Sequence, residues 1–440
     1  MKKGTFKGGI HPYEGKELSM DKPTMQLLPK GDLVYPMSQH IGAPAKPIVA
    51  VGDHVLMGQI IAEAGGFVSS PIAASVSGTV KEIRPALTVS GAMVNAIVVE
   101  NDNEYTPVQG LGEKRDVSKL SKQEIRDIIR DAGIVGMGGA GFPTFIKLTP
   151  KNEDAIDYII VNGSECEPYL TSDYRVMLEE GEKLVDGLRI ILRLFDHARG
   201  LIAIEDNKPQ AIEKMSALVE NEERISVKVV RTKYPEGSER HLIYACTGRK
   251  INSSMLPADA GVVVNNVDTV ISVHMAVAES TPLIRRIVTV SGDAIMNSQN
   301  FSVKTGTSYK ELLDAAGGFK APPKKLISGG TMMGLSLFDV NVPVTKTSSA
   351  LLAFIEDPAD KVPEGPCIRC GRCVEACPEN TIPQMLMSAA EHFDDASFEA
   401  VSGMECMECG SCTYVCPAGR RLTQALKQTR RSILDNRKKK

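Results

Sequence analysis

Eight of the ten cysteines in this 440-residue chain fall between Cys367 and Cys416, in two copies of one pattern. The first copy reads CIRCGRCVEACP and the second CMECGSCTYVCP, each with the spacing C-x2-C-x2-C-x3-C-P. A cubane iron–sulfur cluster needs a thiolate on each of four irons. Three closely spaced cysteines can wrap three corners, and the fourth must be reached from elsewhere. Zinc and disulfides are the plain alternatives. Zinc sites commonly use two C-x2-C pairs on one ion, and two runs of four, each closed by Cys-Pro, match that poorly. Thiolate ligands also point to a reducing compartment.

The repeated spacing resembles that of bacterial two-cluster ferredoxins, in which the last Cys of each run ligates the other cluster. That resemblance implies one [4Fe–4S] cluster on Cys367, Cys370, Cys373 and Cys416. It implies a second on Cys406, Cys409, Cys412 and Cys377. Clusters ligated crosswise lie close together, so electrons should pass between them. The remaining chain must then supply an entry and an exit.

The length suits about three domains. A net charge of −3 gives no global attraction to nucleic acid. The lead has lysines but no apolar core of the kind a secretory leader carries. The best spanning candidate, 261–278, is broken by Asn265, Asn266, Asp268 and His274.

GGIHPYEGKELSMDKP reads as irregular lead-in chain. Short apolar alternations follow, separated by Gly52-Asp53, Gly65-Gly66 and Ser77-Gly78, as hairpins require. This stretch resembles the barrel-sandwich fold of biotinyl and lipoyl carrier domains. It has no Lys between Lys46 and Lys81, so the likeness extends to fold and not to carrier chemistry.

LSKQEIRDIIRDAGI has helical spacing, with Leu120, Ile125, Ile128 and Ile129 on one face. It runs into GMGGAG, four glycines in six residues. Gly136, Gly138 and Gly141 satisfy G-x-G-x-x-G, but the loop follows a helix, whereas a dinucleotide fingerprint follows a strand. Glycines let backbone N–H groups approach an anion closely. A helix–helix turn is the plainer reading, though it needs fewer glycines. Asn265-Asn266 reads either as a polar contact or as a turn. Glu165 and Glu167, taken alone, read as solvated loop residues. Cys166 and Cys246 have no partners at ligand spacing, and His11 and His241 read as structural.

The segments GMGGAGFPTFIKL, VNGSECEPYLTSDYR, YPEGSERHLIYACTGRK and VVVNNVDTV occur in the order found in the NADH-oxidising flavoprotein subunit of respiratory complex I. The order is more similar still to the RnfC proteins of the Rnf complexes, membrane-bound ferredoxin:NAD oxidoreductases, over nearly the whole chain. The resemblance implies a multidomain α/β protein in four parts. These are a lead and barrel-sandwich hybrid at 1–110 and an FMN/NADH-binding α/β domain at 115–282. A β-grasp (SLBB-like) domain at 283–350 and a helical ferredoxin-like two-cluster domain at 351–440 complete it.

It also implies a site. Gly136, Gly138, Gly139, Gly141 and Lys147 cradle the FMN phosphate and ribityl chain. Asn162, Ser164 and Glu165 contact the flavin, and Asn265 and Asn266 its phosphate. Gly237 and Glu239 lie near flavin and nicotinamide, Phe142 stacks on a base or nicotinamide, and Glu167 binds ribose hydroxyls. Two departures from the complex I pattern each remove a carboxylate. Ser164-Glu165-Cys166-Glu167 stands for Asp-Glu-Gly-Glu, and Gly237-Ser238-Glu239 for Gly-Glu-Glu.

The implied function is electron exchange between NAD(H), noncovalent FMN and two clusters. The implied partners are the other components of a membrane-bound Rnf-type complex and, indirectly, ferredoxin. The implied location is the cytoplasmic face of the membrane, held peripherally. Alternatives are a microcompartment cobalamin reductase, in which the flavin module comes first, a soluble flavoprotein of a bifurcating complex, and a binding module with structural clusters. Gly329, Gly330 and Gly334 read as turns. The basic tail RRLTQALKQTRRSILDNRKKK reads either as a membrane-surface helix or as a solvated tail.

Overall fold

The lead segment is the element sequence reading undervalued, because it ties three folded units together. The computed structural model describes residues 3–357 and 362–439. Gly4 N–H donates to Val229 O, at the edge of the flavin-type sheet. Ile10 and Tyr234 exchange two main-chain hydrogen bonds of 2.8 and 2.9 Å, and Gly9 N–H donates to Ala376 O in the cysteine-rich unit. Met25–Leu27 then adds a parallel edge strand to the sheet of the β-grasp unit. The stretch expected to be irregular is thus held by pairing to three different units.

The next unit has an antiparallel sheet in the order Leu33–Pro36, Met93–Asn101, Gly78–Leu87, His54–Val55. A second, three-stranded sheet joins Lys46–Pro47, Ile60–Glu63 and Ile72–Ala73. Alternate residues Leu33, Tyr35, Val80, Ile97 and Val99 bury one face against Ile61 and Ile72. This is a barrel-sandwich hybrid.

Between residues 115 and 282 lie four parallel strands in the order Ile225–Val230, Arg199–Glu205, Tyr158–Gly163, Val262–Asn266. Ile159, Val161, Ile202 and Ile204 join one core, and Ile160, Ala203 and Val264 the other. Burial on both faces explains the apolar run of Val262, Val263 and Val264, whereas the edge strand Ile225–Val230 carries Ser226 and Lys228. The strand order reverses between Tyr158–Gly163 and Val262–Asn266, which creates a topological switch point at their carboxyl ends. The helix Lys122–Asp131 enters through a capping box between Ser121 and Glu124.

The third unit is a six-stranded sheet with the helix Tyr309–Ala315 on one face. Its strand Ala350–Phe354 pairs with both Arg285–Ser291 and Lys325–Ser328. The sequence boundary at 350 therefore cuts a strand interior to this sheet. The periodicity of so short a strand carried no marker that would have assigned it correctly.

The last unit packs the helices Arg372–Ala376, Pro383–Glu391, Asp395–Ala400, Ser411–Tyr414 and Leu422–Lys439. Leu422, Leu426 and Ile433 of the tail helix are buried with Leu386 and Phe398. Arg430 and Lys427 pair with Glu408, and Arg437 with Glu399. The apolar stripe of the basic tail is therefore used inside the domain rather than offered to a lipid surface.

Candidate functional site at the switch point

The glycine loop lies against the switch point. Met137 N–H donates to the buried Thr269 Oγ1 at 3.0 Å, in the first turn of the helix Val267–Ala278. A Cβ at Gly138 would sit 3.1 Å from Asn266 Cβ, so the loop runs along that residue. Gly141 has φ +73°, and a Cβ there would strike Thr347 and the His40 backbone of the neighbouring units. At Gly139 an added Cβ would meet nothing within 4 Å, so the loop faces open space there. Gly136 N–H closes the loop onto Phe142 O at 2.9 Å, and the Phe142 side chain is half-buried.

Lys147 ends the short helix Thr144–Lys147 and donates to Val264 O at 3.1 Å, with Glu239 Oε1 at 3.6 Å. Asn162 Nδ2 donates to Gly237 O at 2.8 Å, and its Oδ1 accepts from Ser164 N–H. Asn266 caps the helix Val267–Ala278 through Asp268 N–H and also donates to Asp173 Oδ2. Asn265-Asn266 is thus a strand-to-helix junction and not a turn. Eleven of the residues named from sequence meet around this point: Gly136, Gly138, Gly139, Phe142, Lys147, Asn162, Ser164, Gly237, Glu239, Asn265 and Asn266.

Two of the sequence-named carboxylates serve the scaffold. Glu165 accepts from the N–H groups of Asp173 and Tyr174, at the start of the helix Ser172–Glu179. Glu167 accepts from Met332 N–H and Met333 N–H, both at 3.0 Å, in the β-grasp loop. Neither is a solvated loop residue, and Glu167 makes an interdomain contact. A Cβ on Gly330 would fall 2.2 Å from the Glu167 carboxylate. The glycines at 329–334 therefore permit a close approach between units rather than only turning the chain. Burial pushes the Glu167 carboxyl up to about 7, against the pull of the two N–H donors.

The sign follows from linkage. The folded state holds this proton more tightly than the unfolded chain, so stability falls as pH rises from the ordinary carboxyl range through about 7. Glu167→Gln should shrink the Tm difference between pH 6 and pH 8. Differential scanning calorimetry checks it, and an unchanged difference would locate the ionisation elsewhere.

Sequence reading missed three groups. Lys16 is buried and donates to Glu165 O, Glu167 O and Leu170 O, stapling the strand-end loop from the lead. Burial, with Glu165 and Asp268 close by, pushes the Asp173 carboxyl up to about 8. Lys208 donates to Ser164 O and pairs with Glu205 in a fully buried contact. A lysine in GKEL and an aspartate in TSDYR carry no local signal of such roles.

The structure tests the fit of a flavin nucleotide. Asn265 is 2% exposed, yet neither atom of its amide has a partner, and the Ser164 hydroxyl is likewise orphaned. Buried polar groups without partners are rare. Here they stand at the carboxyl ends of parallel strands beside a side-chain-free loop and a lysine. That donor and acceptor set suits a ligand with a polar edge and an anionic end.

One cavity is lined by Cys377 of the first run together with Cys406, Cys409 and Cys412 of the second. Cys409 and Cys412 are buried, whereas Cys367 and Cys370 are exposed. Cys373 and Cys416 pack in the same apolar cluster as Cys406 and Cys412. Cys166 and Cys246 are half-buried thiols, and burial pushes Cys246 up to about 12.

Fold and site together define a flavin- and iron–sulfur-type electron-transfer protein. Four family models match in chain order: RnfC barrel sandwich hybrid domain at 4–104, Nuo51 FMN-binding domain at 129–275, SLBB domain at 287–336, and 4Fe-4S dicluster domain at 366–420. The chain is 45% identical over 383 residues to the C subunit of the proton-translocating ferredoxin:NAD(+) oxidoreductase complex of Clostridium ljungdahlii, covering 87% of this chain and 83% of that one. It is 40% identical to the C subunit of the Na(+)-translocating ferredoxin:NAD(+) oxidoreductase complex of Acetobacterium woodii, covering 100% and 99% of the two chains. The chain belongs to the RnfC family of ion-translocating ferredoxin:NAD(+) oxidoreductase complexes. Two structures of an NAD+-reducing [NiFe]-hydrogenase share the fold, with TM-scores of 0.51 and 0.52 at 17% and 19% identity. The likeness covers 72% and 74% of this chain and 61% and 65% of those.

Proposed function

We propose that the chain exchanges electrons between NAD(H) and membrane partners as the peripheral, cytoplasmic-face subunit of an Rnf-type complex. The observation that carries this is the orphaned Asn265 and Ser164 beside the glycine loop, in a chain that also gathers Cys377 with Cys406, Cys409 and Cys412. When bound, FMN converts a two-electron exchange with NAD(H) into the single electrons that two [4Fe–4S] clusters carry.

The protein's part is to bind, orient and space. Gly138, Gly139 and Gly141 present main-chain N–H groups to the phosphate and ribityl chain, Gly136 closes the loop onto Phe142 O, and Lys147 supplies the positive charge. Asn162 and Ser164 meet the polar edge of the flavin, and Asn265 and Asn266 its phosphate end. Phe142, Gly237 and Glu239 border the nicotinamide. Glu165 and Glu167 act on the site through the main chain they hold.

A cluster on Cys377, Cys406, Cys409 and Cys412 would be held toward the flavin domain, because Tyr234 and His241 bond the main chain that flanks these cysteines. Cys367 and Cys370 are exposed, so a cluster on Cys367, Cys370, Cys373 and Cys416 would be open to the other subunits and, through them, to ferredoxin. Among the described residues no helix is long and apolar enough to cross a membrane. Proton- and sodium-translocating relatives share this type of subunit, so the choice of ion belongs to other chains.

Anaerobic purification followed by flavin and iron assay and addition of NADH tests the reading. About one FMN and about eight iron atoms are expected per chain, with flavin and cluster absorbance both falling. Failure to take up noncovalent flavin after reconstitution would sink it.

A further inference from the structure

One short segment touches both ends of the electron path. On the flavin side, Gly237 O accepts from Asn162, Gly237 N–H points at Cys166 Sγ at 3.3 Å, and Glu239 lies near Lys147. On the cluster side, its residues grip the flanks of three cysteines. Tyr234 Oη donates to Cys409 O at 2.7 Å. His241 bonds Pro378 O, next to Cys377. Arg240 pairs with Glu379 and Glu405, and Ser238 touches Met407, so Cys406 is flanked on both sides. Tyr234 is 2% exposed and lies in one buried cluster with Ile10, Ala376, Cys166 and Cys409.

We propose that Tyr234 is a positioning residue for electron transfer. Its hydroxyl, bonded to the carbonyl of a cluster ligand, fixes the inner cluster against the flavin site and sets that cluster's reduction potential. The inference rests on the electron path proposed above and adds the element that couples its two parts. In each transfer one electron leaves the flavin site and one is gained at the cluster. No proton moves at Tyr234, whose O–H stays on Cys409 O. The O–H dipole directs its positive end toward the ligand loop. It therefore stabilises the extra negative charge of the reduced cluster, as hydrogen bonds around such clusters do. Arg240 acts in the same sense from the opposite flank.

The test is a potentiometric titration followed by electron paramagnetic resonance on the reconstituted full chain, wild type against Tyr234→Phe. The ring is retained and only the hydroxyl is lost, so flavin and iron contents should match wild type. The inner cluster should become harder to reduce by roughly tenfold in its reduction equilibrium, a drop of about 59 mV for one electron, with the outer cluster unmoved. Arg240→Gln should shift the same cluster in the same direction. Tyr13→Phe, at an exposed tyrosine of the lead, should shift neither. Unshifted midpoints in Tyr234→Phe with both clusters and flavin present overturn the proposal. So does iron loss in Tyr234→Phe combined with an unshifted Arg240→Gln. A wild-type chain that takes no flavin, or whose clusters NADH cannot reduce, would instead refute the electron path itself.

Discussion

Replacing Gly139 with glutamate should strip the chain of flavin while leaving its iron in place. The two neighbouring glycines of the loop behave differently on this point. A Cβ at Gly138 already crowds Asn266 at 3.1 Å, so a side chain there would disturb the switch point as well as the ligand. At Gly139 nothing lies within 4 Å of the added atom, so the fold should accept the substitution. The new carboxylate then stands at the loop proposed to hold a phosphate. Two like charges about 4 Å apart repel by about 4 kcal/mol at the effective dielectric of a protein surface. That weakens retention by roughly a thousandfold. Flavin released by acid should fall below detection, iron should stay at about eight atoms per chain, and the melting temperature should hold. Gly139→Ala adds volume without charge and should keep its flavin. A glutamate variant that still purifies with a full complement would show that the cradle has been assigned to the wrong loop.

The contrast between Gly138 and Gly139 marks where sequence reading stops. The glycine run and the paired cysteines were legible, because each uses a residue type that chemistry requires at a short, fixed spacing. The four-unit order was legible for the same reason, motif by motif. What could not be read was long-range. Lys16 stands about 150 positions before the carbonyls it staples, and Glu167 holds a loop just as far downstream. Met25–Leu27 has no periodicity of its own and becomes a strand only because Gln299–Lys304 offers an open edge. The dismissal of a nucleotide fingerprint was sound as far as local order goes, since the loop does follow a helix. The switch point supplies the missing strand context through tertiary packing, with Val262–Asn266 arriving more than 100 residues later. Glu165 and Glu167 show the converse. The family resemblance gave both carboxylates ligand roles, and the fold uses both to hold main chain.

The second large effect separates the two clusters. Read locally, Cys377 belongs with Cys367, Cys370 and Cys373, its neighbours in the first run. In the folded chain it faces Cys406, Cys409 and Cys412 across one cavity. Cys377→Ser should therefore remove the inner cluster and spare the outer one. Iron should fall from about eight to about four atoms per chain, with FMN retained. Dithionite should still reduce the surviving cluster, but NADH should not, because the acceptor nearest the flavin domain is gone. Cys416→Ser should give the mirror result, with the outer cluster lost and the inner one still bleached by NADH. Cys406→Ser should then behave as Cys377→Ser does, and Cys367→Ser as Cys416→Ser does, a pairing that crossed ligation gives and ligation within each run does not. If Cys377→Ser keeps its NADH response and Cys416→Ser loses it, the ligand sets or the order of the two clusters are reversed. The exposed thiols of Cys367 and Cys370 would then lie nearer the flavin than the buried pair, against the contacts that Tyr234, Arg240 and His241 make with the second set.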